Sequence, residues 1–136
     1  MRRNLDLLFD PNIIEAKECP YCGEKPDYVD SVEIYGKSYG MVYLCRPCDA
    51  YVGVHHKTSK VALGRLANKD LREAKKLAHS YFDPLWKEGI IGGRRNAYKW
   101  LSEQLGIPEQ FTHIGMFDTD LCMEVVQHCN IKMKNT

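Results

Sequence analysis

No stretch of this sequence approaches the roughly 20 consecutive apolar residues that a membrane-spanning helix needs, so no such span is expected. Neither sign of charge dominates. Nineteen Lys and Arg face 18 Asp and Glu, for a formal net charge of +1. That balance excludes a histone-like polycation or an acidic-tail protein, but it leaves open how the charge is distributed along the chain. Internal repeats and low-complexity segments are lacking, and 10 Gly and 6 Pro are ordinary globular usage, which excludes collagen, coiled coil and wholesale disorder. Near the start, Arg2 and Arg3 are followed by Asp6 and Asp10, which interrupt the apolar run a secretory leader requires. A cytoplasmic protein is therefore expected. The 136 residues, 44% of them hydrophobic, amount to one domain or one domain with a small appendage.

Six cysteines are the unusual feature. In a reducing compartment, paired cysteines mean metal more often than disulfide. Cys19-Pro20-Tyr21-Cys22-Gly23 and Cys45-Arg46-Pro47-Cys48 are two CxxC pairs framing 22 residues. Two thiolates on one tight turn can grip an ion, and two such turns complete a tetrahedral zinc set. Gly23 permits the left-handed backbone that a knuckle often requires. The alternative is a pair of redox motifs or core thiols. Thioredoxin-like chemistry, however, wants its CxxC at a helix start within a βαβ pattern, and both pairs here flank β texture. Four thiolates close the coordination sphere, so the expected Zn2+ is a single structural ion held by Cys19, Cys22, Cys45 and Cys48. Its binding is worth about 10–16 kcal/mol apparent, enough to decide whether a small β unit folds.

The expected organisation is α+β: a lead-in over residues 1–18, a zinc ribbon over 19–58, and a helical unit over 59–136 packed on the ribbon as one compact domain. Val29, Val32, Ile34 and Tyr35, then Tyr39, Met41, Val42, Tyr43 and Leu44, flank Gly36-Lys37-Ser38 and predict a hairpin. Tyr51 to His55 predicts a short third strand. Beyond residue 66 the apolar period lengthens. Leu71, Ala74, Leu77/Ala78 and Tyr81 share a helical face after Asn68, and Asp83-Pro84 opens a second short helix stopped by Gly89. Arg94 to Leu105 predicts a helix closed by Gly106, and Asp118 or Thr119 caps a last one, for three to four helices in all.

Partition changes the meaning of the neutral total. Residues 1–59 carry net −2, residues 60–99 net +6, and residues 100–136 net −3. Within the basic block, Arg65, Lys69, Arg72 and Lys76 fall along one stripe if the helix starts early enough. Arg94 and Arg95 follow Gly92-Gly93 at a helix start, where cations oppose the macrodipole and gain from an anionic partner, and Lys99 completes the basic block. Beside strands bearing Tyr35, Tyr39, Tyr43 and Tyr51, these cations suit a phosphate backbone with stacked bases, with Tyr43 among the contacts. A solvated face neutralised by Asp70 and Glu73 accounts for the charge run equally well.

His79 and Asp83, four residues apart, would share a side of a continuous helix. With His113 and Asp118 they could form a hydrolytic or second metal site, against the plainer account of a helix-end histidine, a capping aspartate and a packed loop histidine. Cys122 and Cys129 lie on one helical face about 10 Å apart, too far to share an ion, and fit core thiols. His55 and His56 would point to opposite faces of a strand. Trp86 and Trp100 are expected to anchor the helical core.

Several stretches together resemble a zinc-finger-containing family of small phage and prophage proteins, known as a domain of unknown function. They are Cys19-Pro20-Tyr21-Cys22-Gly23, Leu44-Cys45-Arg46-Pro47-Cys48 with Val52-Gly53-Val54-His55, and Leu63-Gly64-Arg65-Leu66-Ala67. They continue in Ala78-His79 with Phe82-Asp83-Pro84-Leu85-Trp86, Ala97-Tyr98-Lys99-Trp100-Leu101, and His113-Ile114-Gly115-Met116-Phe117-Asp118 with Cys122. The resemblance spans about residues 17–129, with Ala62 standing where that family tends to have proline. It implies a zinc-bearing, phage-encoded, intracellular protein without an assigned reaction, and it marks His79, Asp83, Arg95, Tyr98, His113 and Asp118 as motif positions. Three functions follow as expectations. The first is non-enzymatic binding of DNA or RNA through the basic helical face and aromatic strands. The second is an interaction module or inhibitor acting on a host or defence protein, and the third a hydrolase or nuclease built on His79, Asp83, His113 and Asp118.

Overall fold

The computed structural model describes residues 5–56 and 59–135; Arg2 and Arg3 of the lead-in, and residues 57–58 at the end of the expected ribbon, lie outside them. The architecture is α+β, and the chain divides into two compact units, residues 1–69 and 70–136. Among the described residues no helix is long and apolar enough to cross a membrane. The boundary divides the basic block of the sequence, leaving Lys60, Arg65 and Lys69 in the first unit.

The first unit opens with two single helical turns, α1 (Leu5–Leu8) and α2 (Pro11–Ile14). Asp10 caps α2 by accepting from the Asn12 amide at 2.9 Å. A three-stranded antiparallel sheet follows, in the order β1 (Asp27–Asp30), β2 (Met41–Cys45), β3 (Ala50–Gly53). The hairpin of β1 and β2 is present, but it does not turn at Gly36-Lys37-Ser38 between long strands. Val32–Tyr35 forms a helical turn, α3, which ends on Gly36 at φ +73°. The reason is local hydrogen bonding: the Asp30 carboxylate accepts from the Val32 amide at 2.9 Å and the Ser38 hydroxyl at 3.0 Å, and the buried Ser31 hydroxyl accepts from the Tyr39 amide at 2.7 Å. The first two bonds hold the Asp30 carboxyl below its ordinary range, the Val32 amide contributing most. Satisfied turn chemistry here outweighs the β preference of Val32, Ile34 and Tyr35.

Register decides what each face carries. Tyr43 pairs with Val52, and Leu44 with Tyr51, so Tyr43 and Tyr51 lie on opposite faces of the sheet. The four tyrosines expected to share a platform therefore separate. Tyr43 joins the core of Ala16, Cys19, Cys45, Ala50, Val52, Ala62 and Leu66. Tyr35, by contrast, meets Tyr39 edge-on at 5.6 Å and Tyr51 at 6.0 Å. Residues 62–67 complete the unit through bridges of Val54 to Ala62 and Tyr51 to Ala67.

The second unit holds α4 (Lys69–Lys87) from its second residue onward, α5 (Arg94–Leu105) and α6 (Thr119–Lys134), with two short 3-10 turns at Glu109–Phe111 and Ile114–Met116. The helix break expected at Asp83-Pro84 does not occur: α4 runs through Pro84 to Lys87. Pro84 lies one turn from the helix end, where the backbone bond it deletes is among the last, and the buried Phe82 and Leu85 on either side keep the turn packed. Helix α5 closes on Gly106 at φ +68°, and Asp118 caps α6 by accepting from the Leu121 amide at 2.9 Å. Leu71, Phe82, Leu85, Leu101, Ile114, Phe117, Leu121 and Val125 fill the core, together with Cys122 and Cys129. Trp86 and Trp100 are partly buried at its margin, while Phe82 and Phe117 are the largest fully buried side chains.

Candidate metal centre and basic pocket

Each knuckle closes on itself before any metal is considered. The Cys19 amide donates to Glu24 O at 2.8 Å and the Gly23 amide to Cys19 O at 2.9 Å, which requires the φ of +80° at Gly23. In the second knuckle the Asp49 amide donates to Arg46 O at 3.1 Å. Asp49 stands at φ +50°, in the position after the second cysteine that Gly23 fills in the first. The knuckles meet because β1 and β2 pair antiparallel and place Cys45 at the end of β2. The Tyr21 hydroxyl donates to Leu66 O at 3.1 Å and accepts from the Asn68 amide at 3.2 Å, tying the first knuckle to the segment after β3.

The ligand atoms of Cys19, Cys22, Cys45 and Cys48 all lie within 4.8 Å of one another. Tetrahedral zinc with bonds of about 2.3 Å sets sulfur–sulfur edges near 3.8 Å. The Cys22 and Cys45 sulfurs are 3.6 Å apart, close to such an edge and far beyond the roughly 2.05 Å of a disulfide. Four thiols with no oxygen donor among them select zinc over hard cations. Desolvation and hydrogen bonding among the thiols push Cys48 up to about 12, and desolvation raises Cys45. The Glu24 backbone, in turn, lowers Cys22. The cluster fits one structural zinc ion. Because the four sulfurs exhaust a tetrahedral sphere, that ion would cross-link two turns rather than present an open position to a substrate.

Arg46, between the second pair of cysteines, is a residue whose role sequence reading missed. Its guanidinium donates to Asp27 at 2.5 Å and to Glu33 at 2.7 Å, clamping the knuckle to β1 and α3. Both acids lie far away in sequence, so only the proximity of arginine to the cysteines could have drawn notice.

The candidates for nucleic-acid contact fall into three groups. Arg65 is not on the helical stripe: it precedes α4, is buried, and donates to Leu8 O, because the chain at 62–67 is bridging to β3 rather than helical. Lys69, Arg72 and Lys76 do share a side of α4 opposite its buried Leu71, Ala74 and Ala78. Tyr43 is half-buried, and its hydroxyl donates to Lys60 O at 2.5 Å. Arg94, Arg95 and Lys99 on α5 line a cavity of about 440 Å³ together with Tyr98, Glu109, Thr112 and His113. Arg94 lies over the Tyr98 ring at 5.4 Å, and the His113 ring approaches Tyr98 at 5.8 Å. Tyr98 rests in turn on Phe82 at 4.6 Å, and desolvation raises its hydroxyl above the ordinary range despite Arg94. Sequence reading missed Glu109 and Thr112, which only the turn after α5 brings to the cavity.

His79, Asp83, His113 and Asp118 are not brought together as metal ligands: among the described residues the four cysteines are the one cluster of three or more such groups. The continuous α4 places the His79 imidazole 3.4 Å from Asp83, so Asp83 pairs along the helix instead of capping a new one. Asp118 is occupied at the α6 cap, and His113 faces the basic cavity.

A reduced four-cysteine cluster between β-hairpin knuckles defines a zinc-binding protein of the zinc-finger class. A family model described as a zinc-finger-containing domain, of unknown function, matches residues 15–132, and the chain belongs to that family. No curated protein and no solved structure gives a significant match to the chain.

Proposed function

We propose that this protein is a zinc-stapled, non-enzymatic nucleic-acid-binding protein that holds DNA or RNA through the cations of its helical unit. One observation carries the reading. Arg94, Arg95 and Lys99 converge on a cavity beside Tyr98, and among the described residues none of them forms an ion pair. Three cations against the single carboxylate of Glu109 leave the cavity with an excess of positive charge, which an anionic ligand would balance. Lys69, Arg72 and Lys76 add further positive charge along the side of α4 opposite its buried residues. The zinc unit supports this role by holding its own fold rather than by reacting, since its coordination sphere is full. Binding should be readable as a mobility shift or anisotropy change on single- or double-stranded DNA and RNA at about 50 mM salt, and it should weaken linearly in log–log salt dependence. Arg72→Glu with Lys76→Glu should weaken it across all sequences. No binding to any of the four nucleic acids at that salt would refute the proposal.

A second reading is an interaction module acting on a host protein, in keeping with a phage-encoded factor. It is favoured by one feature of the zinc unit, the exposed group of Val32, Tyr35 and Tyr39, of which Tyr39 is 67% exposed. Capture of a lysate protein that survives nuclease and is lost with Tyr39→Ser would favour this reading over the first.

A further inference from the structure

The cavity on α5 differs from the outer face of α4, where Lys69, Arg72 and Lys76 lie along a helix side, and from three cations already engaged within the fold. Arg46 is paired with two carboxylates, Lys75 donates to Gly115 O at 3.1 Å, and Arg65 is buried on a carbonyl. Arg94, Arg95 and Lys99 instead line a concavity of about 440 Å³. That lies at the lower end of the roughly 300–1,000 Å³ typical of small-molecule sites and is the size of one nucleotide rather than an extended strand. Its wall combines three chemistries: two guanidinium forks and an ammonium, an aromatic pair of Tyr98 and His113, and a single carboxylate, Glu109.

Resting on the nucleic-acid reading above, we propose that this cavity receives one terminal nucleotide bearing a phosphomonoester. Charge distinguishes an end from the middle of a strand. An internal phosphodiester carries one negative charge, whereas a phosphomonoester carries about −1.5 to −2 and three acceptor oxygens. Two arginines and a lysine at one place match the second, and arginine forks engage such oxygens two at a time. Tyr98 is supported from behind by Phe82 at 4.6 Å, so the ring is held in place rather than free to turn away. It offers a base or sugar a fixed aromatic surface. Glu109 carries no ion pair among the described residues and can accept from an exocyclic amino group.

The test uses the full zinc-loaded chain and short single-stranded oligonucleotides of one sequence with a 5′-phosphate, a 3′-phosphate or hydroxyls at both ends. AMP, adenosine and inorganic phosphate serve as competitors. A terminal phosphate at one end should tighten binding by at least about tenfold, the worth of one charge-assisted hydrogen bond. AMP should compete better than either adenosine or phosphate alone. Arg95→Glu with Lys99→Glu, both exposed positions, should abolish the advantage of the phosphate while leaving the circular dichroism unchanged. Equal binding of phosphorylated and hydroxyl-ended strands would overturn the inference and leave nucleic-acid binding standing. AMP binding without any oligonucleotide binding would overturn both readings and leave a site for a free nucleotide. Phosphate competing as well as AMP would also overturn the inference, because it would reduce the cavity to a bare anion site.

Discussion

Removing zinc should unfold the first unit and spare the second. The core beside the sulfurs is made of small side chains: Ala16, Ala50 and Ala62, with Val52 and Leu66 the largest apolar members. Full burial of Val52 and Leu66 is worth about 3–6 kcal/mol together, and Phe9, Val42 and Leu44, buried elsewhere in the unit, add about 5–9 kcal/mol. Zinc bound by four thiolates contributes about 10–16 kcal/mol, comparable to or above the roughly 5–15 kcal/mol by which whole domains are stable. The metal term is therefore at least as large as the apolar burial of this unit, and it dominates around the sulfurs, where the side chains are small. The helical unit carries two buried phenylalanines and a full set of leucines, and no metal cluster among its described residues. Cys22→Ser is the sharpest perturbation, because the Cys22 side chain is exposed and its replacement opens no cavity. In amide NMR spectra of the full chain, Cys22→Ser or a strong chelator should collapse the dispersion of residues 19–69 while residues 70–135 keep theirs. Lowering the pH should have the same effect, since zinc and protons compete for the same sulfurs and the metal-free Cys48 and Cys45 hold their protons firmly. A hairpin that stays dispersed with no metal detectable by elemental analysis would refute this reasoning.

Thiol labelling should count the same site: four cysteines should react only after chelation, and Cys122 and Cys129 only after full denaturation, because burial pushes the Cys129 thiol up to about 12 and both are enclosed in the helical core. Labelling of Cys129 in the native, zinc-loaded protein would contradict that packing. Arg46→Ala should lower the stability of the zinc unit by about 1 kcal/mol in denaturant titration, a small figure because the arginine and its two acids are roughly half exposed to water. Arg46→Lys should not restore it, since an ammonium cannot fork to both Asp27 and Glu33. Pro84→Ala should raise the melting temperature of the helical unit, by up to about 3 kcal/mol in stability, by restoring an amide to α4 one turn from its end. A decrease would show that the proline ring contributes packing there.

The parts that could be read in advance are those whose causes lie within a few residues. The Cys19-to-Cys22 and Cys45-to-Cys48 spacings already specify chelating turns, and the φ of +80° at Gly23 follows from the knuckle it closes. The caps at Gly106 and Asp118 and the buried face of α4 followed from local pattern in the same way. Two local readings failed, one to competing local chemistry and one to tertiary packing. Asp30 and Ser31 ahead of Glu33 were a helix-start signal inside β-prone residues, and their hydrogen bonds to Val32 and Tyr39 made α3. Pro84 looked like a first-turn residue, but tertiary packing of Phe82 and Leu85 carried the helix past it.

Composition and spacing alone settled that this is a zinc-bearing α+β chain, because thiolate chelation and amphipathic periodicity are properties of short segments. Which charges stay unpaired was decided only by the tertiary structure. Arg46 and Arg94 are both arginines beside conspicuous motifs, yet one finds Asp27 and Glu33 across the sheet and the other finds an aromatic ring at an open cavity. Likewise, one step of strand parity put Tyr43 with the core and Tyr51 on the opposite face. Partners of that kind come from residues distant in the chain, and no local pattern encodes them.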